Sequence, residues 1–184
     1  MPLSPAALRT KLHNRAITVE GFEREDGLFD IEAELIDTKT YGFSTDDRDL
    51  PTGTPLHHMR ARLTVNLNFE IVAAEAETLA GPYLICAGGA DSFSKLIGLT
   101  IKPGFMKAAN ERLAGVTGCT HIREFLQQMA TVAFQTTYPA RARRAQAREV
   151  IGEKKPPRLL NTCFAYDSTR EAMKARHPEF YTGK

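Results

Sequence analysis

The stretch Gly27–Tyr41, GLFDIEAELIDTKTY, decides the fold. Apolar and acidic side chains alternate along it, and the apolar ones share one face: Phe29, Ile31, Ala33 and Leu35. This period of two predicts a half-buried strand. If the alternation continues, Asp37, Lys39 and Tyr41 fall on the apolar face, where charged groups are rare unless they are paired.

A second predicted strand, His57–Leu67, shows the same pattern at its beginning. Its inner face carries Met59, Ala61, Leu63, Val65 and Leu67, and His57 is in phase with them. Antiparallel pairing of the two strands would bring His57 beside Asp37, Lys39 and Tyr41 at one end of the core. Titratable groups that converge on an apolar pocket indicate a candidate site.

Three alternatives for these residues stay open at this level. A single inward histidine is often a hydrogen-bonded core residue without any function. Asp37 and Lys39 could form a buried ion pair with a structural role only. The strand could also end at Ile36, which would leave Asp37, Lys39 and Tyr41 in solvent.

The rest of the chain predicts an α+β fold: an antiparallel meander of about four strands, packed on one face by C-terminal helices. Further strands are predicted at Ala16–Arg24 and Phe69–Glu77, with an Asp-Gly turn at Asp26 and Gly27. A main helix is predicted from about Gly118 to Tyr138, ending at Pro139. Smaller helices are expected after Asp91 or Ser92 and after Pro103.

The polar face of the predicted sheet carries charges of both signs. Arg60 and Arg62 could lie opposite the acidic side chains of the neighbouring strand: Asp30, Glu32 and Glu34. Cross-strand ion pairs explain these carboxylates better than a metal site or a general acid, because the face is polar throughout.

The expected organisation has four parts: an N-terminal arm (1–15), an α+β core (16–138), a basic helix and linker (139–158) and a C-terminal strap on the core (159–184). The chain has 184 residues, which suffices for one sizeable core. Three scattered cysteines favour reduced thiols in a cytoplasmic protein. Neither a secretory signal nor an apolar run long enough to cross a membrane is recognisable.

The basic segment has seven basic and two acidic residues between Pro139 and Arg158. A basic block can bind nucleic acid, but this one has no interleaved aromatic residues that could stack on bases. A solvated helix or a homo-oligomer contact is therefore favoured over nucleic-acid binding.

The segment GVTGCTH (Gly115–His121) places Cys119 and His121 at the beginning of the main helix. A helix start stabilises an anion and keeps a nearby histidine neutral, so Cys119 could be a nucleophile and His121 an acid or base. For Cys119 the favoured interpretation is a buried, inert, small hydrophobic residue, because free cysteines are commonly buried. His57, His121 and Cys119 could meet as metal ligands, although their spacing does not require it, and no nucleotide or flavin motif is present.

Several of these segments resemble a bacterial family of unknown function, DUF2889. The resembling stretches are Arg24–Phe43, Pro55–Val65, Pro82–Cys86, Leu99–Phe105, Gly118–Phe125 and the sequence AFQTTY. The tail segment NTCFAY departs from the family, which is expected to carry histidine where this chain has Phe164. The resemblance implies a bacterial setting among genes for the breakdown of aromatic and other small carbon compounds.

The sequence thus predicts a small catabolic enzyme without an organic cofactor, acting on a small, aromatic molecule. A base among His57, His121 and Asp37 would remove a proton, and Lys39, Tyr41 or the helix start would hold the developing oxyanion. These acid–base and oxyanion-binding groups are suited to lyase chemistry that releases a small aldehyde such as formaldehyde, or to isomerisation. The alternatives are a metal-dependent hydrolase using His57, His121 and Cys119, and a non-catalytic binding or assembly protein that uses the arginine-rich helix.

Overall fold

The computed structural model describes residues 2–146, 156–157 and 159–183. It contains two compact units, Met1–Ala142 and Arg143–Lys184. The first unit contains a four-stranded antiparallel sheet and helices, so the predicted α+β class is confirmed. The strands of the sheet lie in the spatial order β1-β2-β5-β6, and their bounds are β1 His13–Glu23, β2 Phe29–Lys39, β5 Pro55–Val65 and β6 Ile71–Ala80. A small hairpin, β3 (Phe43–Ser44) and β4 (Asp49–Leu50), lies in the connection between β2 and β5.

The turn between β1 and β2 forms where the Asp-Gly pair predicts it. Gly27 has a φ of 80°, a left-handed conformation that glycine adopts without steric cost. The Asp26 carboxylate accepts a hydrogen bond from the backbone N–H of Leu28 at 3.1 Å. The turn fixes the register that pairs Glu23 with Phe29 and, at the far end of the strands, His13 with Lys39.

The core lies on one face of the sheet and has the period that the sequence predicts. Every second side chain of β2 from Phe29 to Asp37 is buried. The helices cover this face, and α3 (Leu126–Thr136) lies against β1 and β2. Their buried side chains include Phe105, Ala109, Leu113, Ile122, Phe125, Leu126, Met129 and Ala133.

The predicted single helix from Gly118 to Tyr138 is wrong in its continuity. The segment forms two helices, α2 (Thr120–Glu124) and α3, with an interruption at Phe125. Helix α3 ends at Thr136, close to the predicted end, and the predicted basic helix follows as α4 (Tyr138–Gln146). Pro139 lies in the first turn of α4, where a proline without an N–H fits. Residues 147–155 and 158 of the predicted basic helix and linker lie outside the described residues.

The smaller helices also differ from prediction. A 3-10 helix begins at Leu84 and ends at Leu96, earlier than the predicted start at Asp91 or Ser92. Helix α1, Phe105–Leu113, follows Pro103 as expected, with Gly104 preceding its first residue. A short 3-10 turn, Gly115–Thr117, precedes α2.

In the second unit the described residues form helix α5 (Glu171–Arg176) and two 3-10 turns, Phe164–Tyr166 and Pro178–Phe180. No strand occurs among the described residues of this unit. The packing of residues 159–184 on the core stays a prediction.

The polar face of the sheet carries the ion pairs that the sequence predicts. Glu32 lies opposite Arg62 in the register, and their side chains are 2.7 Å apart. Arg62 also contacts Glu75 at 3.0 Å, whereas Arg60 contacts Glu77 rather than Glu34. A groove of about 380 Å³ lies along these charges. The acidic and basic groups along this groove face one another, so their charges are paired.

Within the described part of the chain, none of the helices combines the length and the apolar character that crossing a membrane requires.

Candidate functional site

The candidate site lies at the end of the sheet where β2 and β5 carry polar residues on the core face. Asp37 of β2 lies between Arg15 of β1 and His57 of β5 in the strand register. Its side chain has 0% exposure, so the carboxylate is fully removed from solvent. The prediction that Asp37 and His57 meet at the end of the core is confirmed.

The buried carboxylate of Asp37 receives several hydrogen bonds. Arg15 donates from Nε to Oδ1 at 2.7 Å and from Nη2 to Oδ2 at 2.6 Å, a two-point contact that also fixes the plane of the carboxylate. His57 Nδ1 lies 2.9 Å from Oδ2, and His13 Nε2 lies 3.4 Å from Oδ1. Asp37 is therefore a paired and oriented charge.

The protonation states follow from these contacts. Burial alone would raise the pKa of Asp37, but hydrogen bonds from Arg15 and His57 outweigh it and hold that pKa below its ordinary value. Burial lowers the pKa of His57 despite the Asp37 carboxylate beside it, and the charge of Arg15 lowers it further. A neutral His57 must donate from Nδ1 to the ionised Asp37, which can only accept. Nε2 of His57 then carries a lone pair and can take a proton.

A second imidazole is supplied by the helical layer. His121 of α2 stacks on His57 with ring centroids 3.7 Å apart and an angle of 30° between the rings. Burial lowers the pKa of His121, and the neighbouring His57 and Arg15 lower it further. Two imidazoles this close disfavour simultaneous protonation, so the pair is suited to hold one proton at a time.

Cys119 lies next to this pair. Its Sγ is 3.8 Å from Nδ1 of His121, and the thiol is partly buried. Cys119 directly precedes α2, as the sequence predicts for the start of a helix, but α2 has only five residues. The backbone of Gly89 approaches Cys119 closely, since a Cβ on Gly89 would lie 3.1 Å from the Cβ of Cys119.

Arg15 joins the sheet to the helical layer. Besides Asp37, its guanidinium forms an ion pair with Glu124, which lies three residues after His121 on α2. Arg15 thus contacts the residue that positions His57 and the helix that carries His121. Arg15 therefore helps to hold both His57 and His121 in position.

Lys39 and Tyr41 lie farther from the core than Asp37. Lys39 is half-buried at the last position of β2, and its Nζ donates to the hydroxyl of Tyr41 at 2.9 Å. The same ammonium lies 4.9 Å from the ring centre of Tyr41 and 5.4 Å from that of Phe43. The expectation that Tyr41 points into the core is wrong: β2 ends at Lys39, and Tyr41 has 45% exposure.

Asp37, His57 and His121 could together bind a metal ion. One potential ligand atom of each lies within 4.8 Å of the others, whereas the predicted set contained Cys119 instead of Asp37. In this arrangement both carboxylate oxygens of Asp37 already accept bonds from Arg15, and stacked rings do not direct their lone pairs at one point. Metal binding would therefore require the side chains to rearrange.

Sequence reasoning missed three residues of this cluster: His13, Arg15 and Glu124. Arg15 lies in phase with Ile17 and Val19 on the core face of β1, so the period of two could have found it. The predicted strand starts at Ala16 and so excludes Arg15, whereas β1 begins at His13. No local sequence signal distinguishes Glu124 from other helical glutamates.

The fold and the cluster define a small α+β protein with a buried aspartate–histidine pair at one end of its sheet. The model of the family described as "Protein of unknown function (DUF2889)" matches residues 13–135, which is more than half of the chain, so the protein belongs to this family. The matched range includes Arg15, Asp37, His57, His121 and Glu124. No curated protein and no solved structure matches the chain.

Proposed function

We propose that this protein is a small bacterial catabolic lyase that needs no organic cofactor. It cleaves a carbon–carbon bond in an aromatic substrate and releases a small aldehyde such as formaldehyde. The observation that supports the proposal is the hydrogen-bonded Asp37–His57 pair with His121 stacked on it. Such a pair supplies a base whose tautomer is fixed and a second group that can return a proton.

The bond changes can be written with these residues. Nε2 of His57 takes the proton of a primary hydroxyl group on the substrate. The O–H electrons form the C=O bond of the aldehyde, the adjacent carbon–carbon bond breaks, and its electron pair passes to the carbon that remains. The proton taken by His57 is then returned to that carbon, directly or through the stacked His121, so that the pair holds one proton at a time and both imidazoles end neutral.

The electron pair that passes to the substrate needs stabilisation. Lys39, two residues after Asp37 on β2, and the hydroxyl of Tyr41 that it contacts are the proposed cationic and hydrogen-bonding groups, and an aromatic ring conjugated to the reacting carbon would spread the charge toward them. Isomerisation of a related substrate would use the same first proton transfer.

The test is a thermal-shift screen against aromatic alcohols and acids, followed by an assay of each stabilising compound for aldehyde release. A ligand that binds only the folded form raises its apparent stability. We expect His57→Ala to lower aldehyde release by roughly a hundredfold or more, the usual contribution of a positioned base.

His58→Ala is the matched control, because His58 is adjacent in sequence but contacts Glu34 on the polar face of the sheet. It should retain the wild-type rate. Equal rates for wild type and a folded His57→Ala variant would remove the proposed mechanism.

The second candidate is a metal-dependent hydrolase, which the proximity of Asp37, His57 and His121 favours. It predicts about one zinc or iron ion per chain by elemental analysis of protein purified without chelator. Removal of this metal ion by dialysis against chelator should abolish hydrolysis. A metal-free sample that still releases aldehyde would favour the lyase.

A further inference from the structure

Large apolar side chains are exposed around the end of the sheet that carries the candidate site. We call five of them the collar: Tyr41, Phe43, Tyr83, Leu84 and Ile85. Leu84 has 72% exposure and Ile85 85%. Exposed apolar side chains that cluster in this way mark surfaces that bind a partner.

The collar borders the site on two sides. Tyr41 and Phe43 follow the end of β2, a few residues after Asp37. The segment that contains Tyr83 follows Ala80, which lies opposite His58 in the register of β5 and β6. Both segments therefore begin beside the strand ends that hold Asp37 and His57.

Hydrogen bonds hold the two halves of the collar together, so the apolar exposure is built into the fold. The hydroxyl of Thr45 donates to the Pro82 carbonyl at 2.8 Å, and Arg48 donates to the Gly81 carbonyl at 3.0 Å. The backbone N–H of Leu84 donates to the Asp47 carboxylate at 2.9 Å.

A second feature lies at the same end of the sheet. It is the segment before β1, residues 2–12, which we call the arm; it is shorter than the predicted 1–15 because β1 begins at His13. All its residues are exposed and none belongs to a helix or strand. Leu3 and Leu8 are almost completely exposed, so they bury almost no apolar surface against the described part of the chain. The arm is anchored at its end, because Thr40 donates hydrogen bonds to the carbonyls of Lys11 and Leu12. It thus leaves the domain beside Tyr41.

We propose that the arm of one copy of this chain binds the collar of a second copy, so that two copies exchange arms across a two-fold axis. The arm carries exposed leucines that need an apolar partner surface, and the collar offers one. Because the two features lie side by side on the same end of the domain, one symmetric arrangement satisfies both contacts.

Charge favours the same pairing. The arm carries Arg9 and Lys11 and no acidic residue, whereas the β3–β4 hairpin beside the collar carries Asp46, Asp47 and Asp49 around a single arginine. Opposite charges at the rim of an apolar contact steer association and reject wrong partners.

The length of the arm and the number of interface residues are also compatible with a dimer that exchanges arms. Eleven extended residues reach at most about 40 Å, enough to cross onto a neighbouring domain. Pro2 and Pro5 restrict the free arm, which lowers the entropy lost on binding. Arm, collar and hairpin together supply about 20 residues per copy, the number found in standard interfaces.

The test is the molar mass of the full chain by light scattering and sedimentation equilibrium from low to high micromolar concentration. We expect a dimer. Leu3→Asp with Leu8→Asp in one variant, and Leu84→Asp with Ile85→Asp in another, should each raise the dimer dissociation constant by roughly tenfold or more. Circular dichroism should show that both variants stay folded, because all four positions are exposed.

Charge reversal tests the orientation. Arg9→Glu with Lys11→Glu should weaken the dimer, and adding Asp46→Lys with Asp49→Lys should restore it. Leu79→Asp is the matched control, since Leu79 is exposed on β6 outside the collar, and it should leave the dimer intact.

A monomer at every concentration would overturn the proposal. So would a dimer that survives both double substitutions, or one that only Leu79→Asp dissociates. All these readouts are independent of catalysis, so they stand apart from the outcome for the lyase.

Discussion

At the scale of single residues, Asp37 is a buried anion on a sheet face that otherwise carries mostly apolar side chains. Removing a carboxylate from water is costly, and the cost is offset only where donors surround it. Arg15 supplies two of these hydrogen bonds and His57 a third. The charge of Asp37 is therefore maintained by Arg15, and the tautomer of His57 by Asp37.

We predict that Arg15→Gln destabilises the fold by about 3 kcal/mol, because the substitution leaves the charge of Asp37 buried and poorly paired. This value lies at the low end for breaking a buried ion pair, since Arg15 itself is 31% exposed. The measurement is the free energy of unfolding in urea.

Arg60→Gln serves as the control, because its ion pair with Glu77 is exposed on both sides. A surface pair of this kind is worth less than about 1 kcal/mol. Nitrogen NMR of the imidazole of His57 adds an independent readout: Arg15→Gln should raise the pKa of His57, since Arg15 lowers it in the native protein. Equal losses of stability in the two variants would contradict the role given to Arg15.

The period of two in the sequence was sufficient to place Asp37 and His57 on the core face. It was insufficient for Tyr41 and Arg15, because alternation identifies a face but not the residue at which pairing stops. The end of β2 at Lys39 is set by its pairing with His13, at the start of β1. That pairing depends on residues far apart in the chain.

At the scale of elements, the contact of β1 with α3 is tight at one position. A Cβ on Gly21 would overlap the hydroxyl of Thr136, whose side chain donates to the Val132 carbonyl at 2.8 Å. Gly21 therefore allows the helix to approach the strand closely, a usual reason for glycine inside a strand.

We predict that Gly21→Ala destabilises the protein by about 1–3 kcal/mol, the usual cost of overpacking a core. Thr136→Ala in the same chain should recover part of the loss, because it removes the overlapping hydroxyl. The measurement is again chemical unfolding. Gly88→Ala is the control, since a Cβ at Gly88 would meet nothing within 4 Å. A stable Gly21→Ala variant would show that the helix can move away at little cost.

The apolar stripe of the helical segment was enough to predict that it covers the dry face of the sheet. The interruption at Phe125 was not predictable, because Phe125 is not a helix breaker and keeps right-handed helical backbone angles. The end of α3 at Thr136 lies close to the end predicted before Pro139, because a proline cannot donate a backbone hydrogen bond inside a helix.

At the scale of the whole molecule, the two buried imidazoles make stability depend on pH. Burial lowers the pKa of both His57 and His121, so below about pH 6.5 the unfolded chain binds more protons than the native one. We predict that the free energy of unfolding falls as the pH decreases from 7 through the native pKa values of these two groups. Each pKa unit between the folded and unfolded forms is worth about 1.4 kcal/mol.

The check is a series of urea melts from pH 8 to pH 5 on wild type and on a His57→Gln, His121→Gln variant. The variant should lose less stability over this interval, since it lacks both titrating rings. A further decrease below about pH 4 is expected in both proteins, because the pKa of Asp37 is lowered in the native state. Parallel curves above pH 5 would contradict the assignment to these histidines.

The fold class followed from the sequence because strand periods and helix stripes are local signals. The complete set of residues in the candidate site could not be predicted from the sequence, because Arg15 and Glu124 are 109 residues apart in the chain. Only the three-dimensional arrangement of β1 beside α2 brings them together.

That separation has a consequence for how the chain is made. As the protein emerges from the ribosome, Arg15, Asp37 and His57 are available early, whereas His121 and Glu124 are synthesised much later. A sheet that forms before residue 124 has left the exit tunnel therefore lacks the contact between Arg15 and Glu124. Truncated products that stop earlier contain Asp37 and His57 but lack the stacked His121.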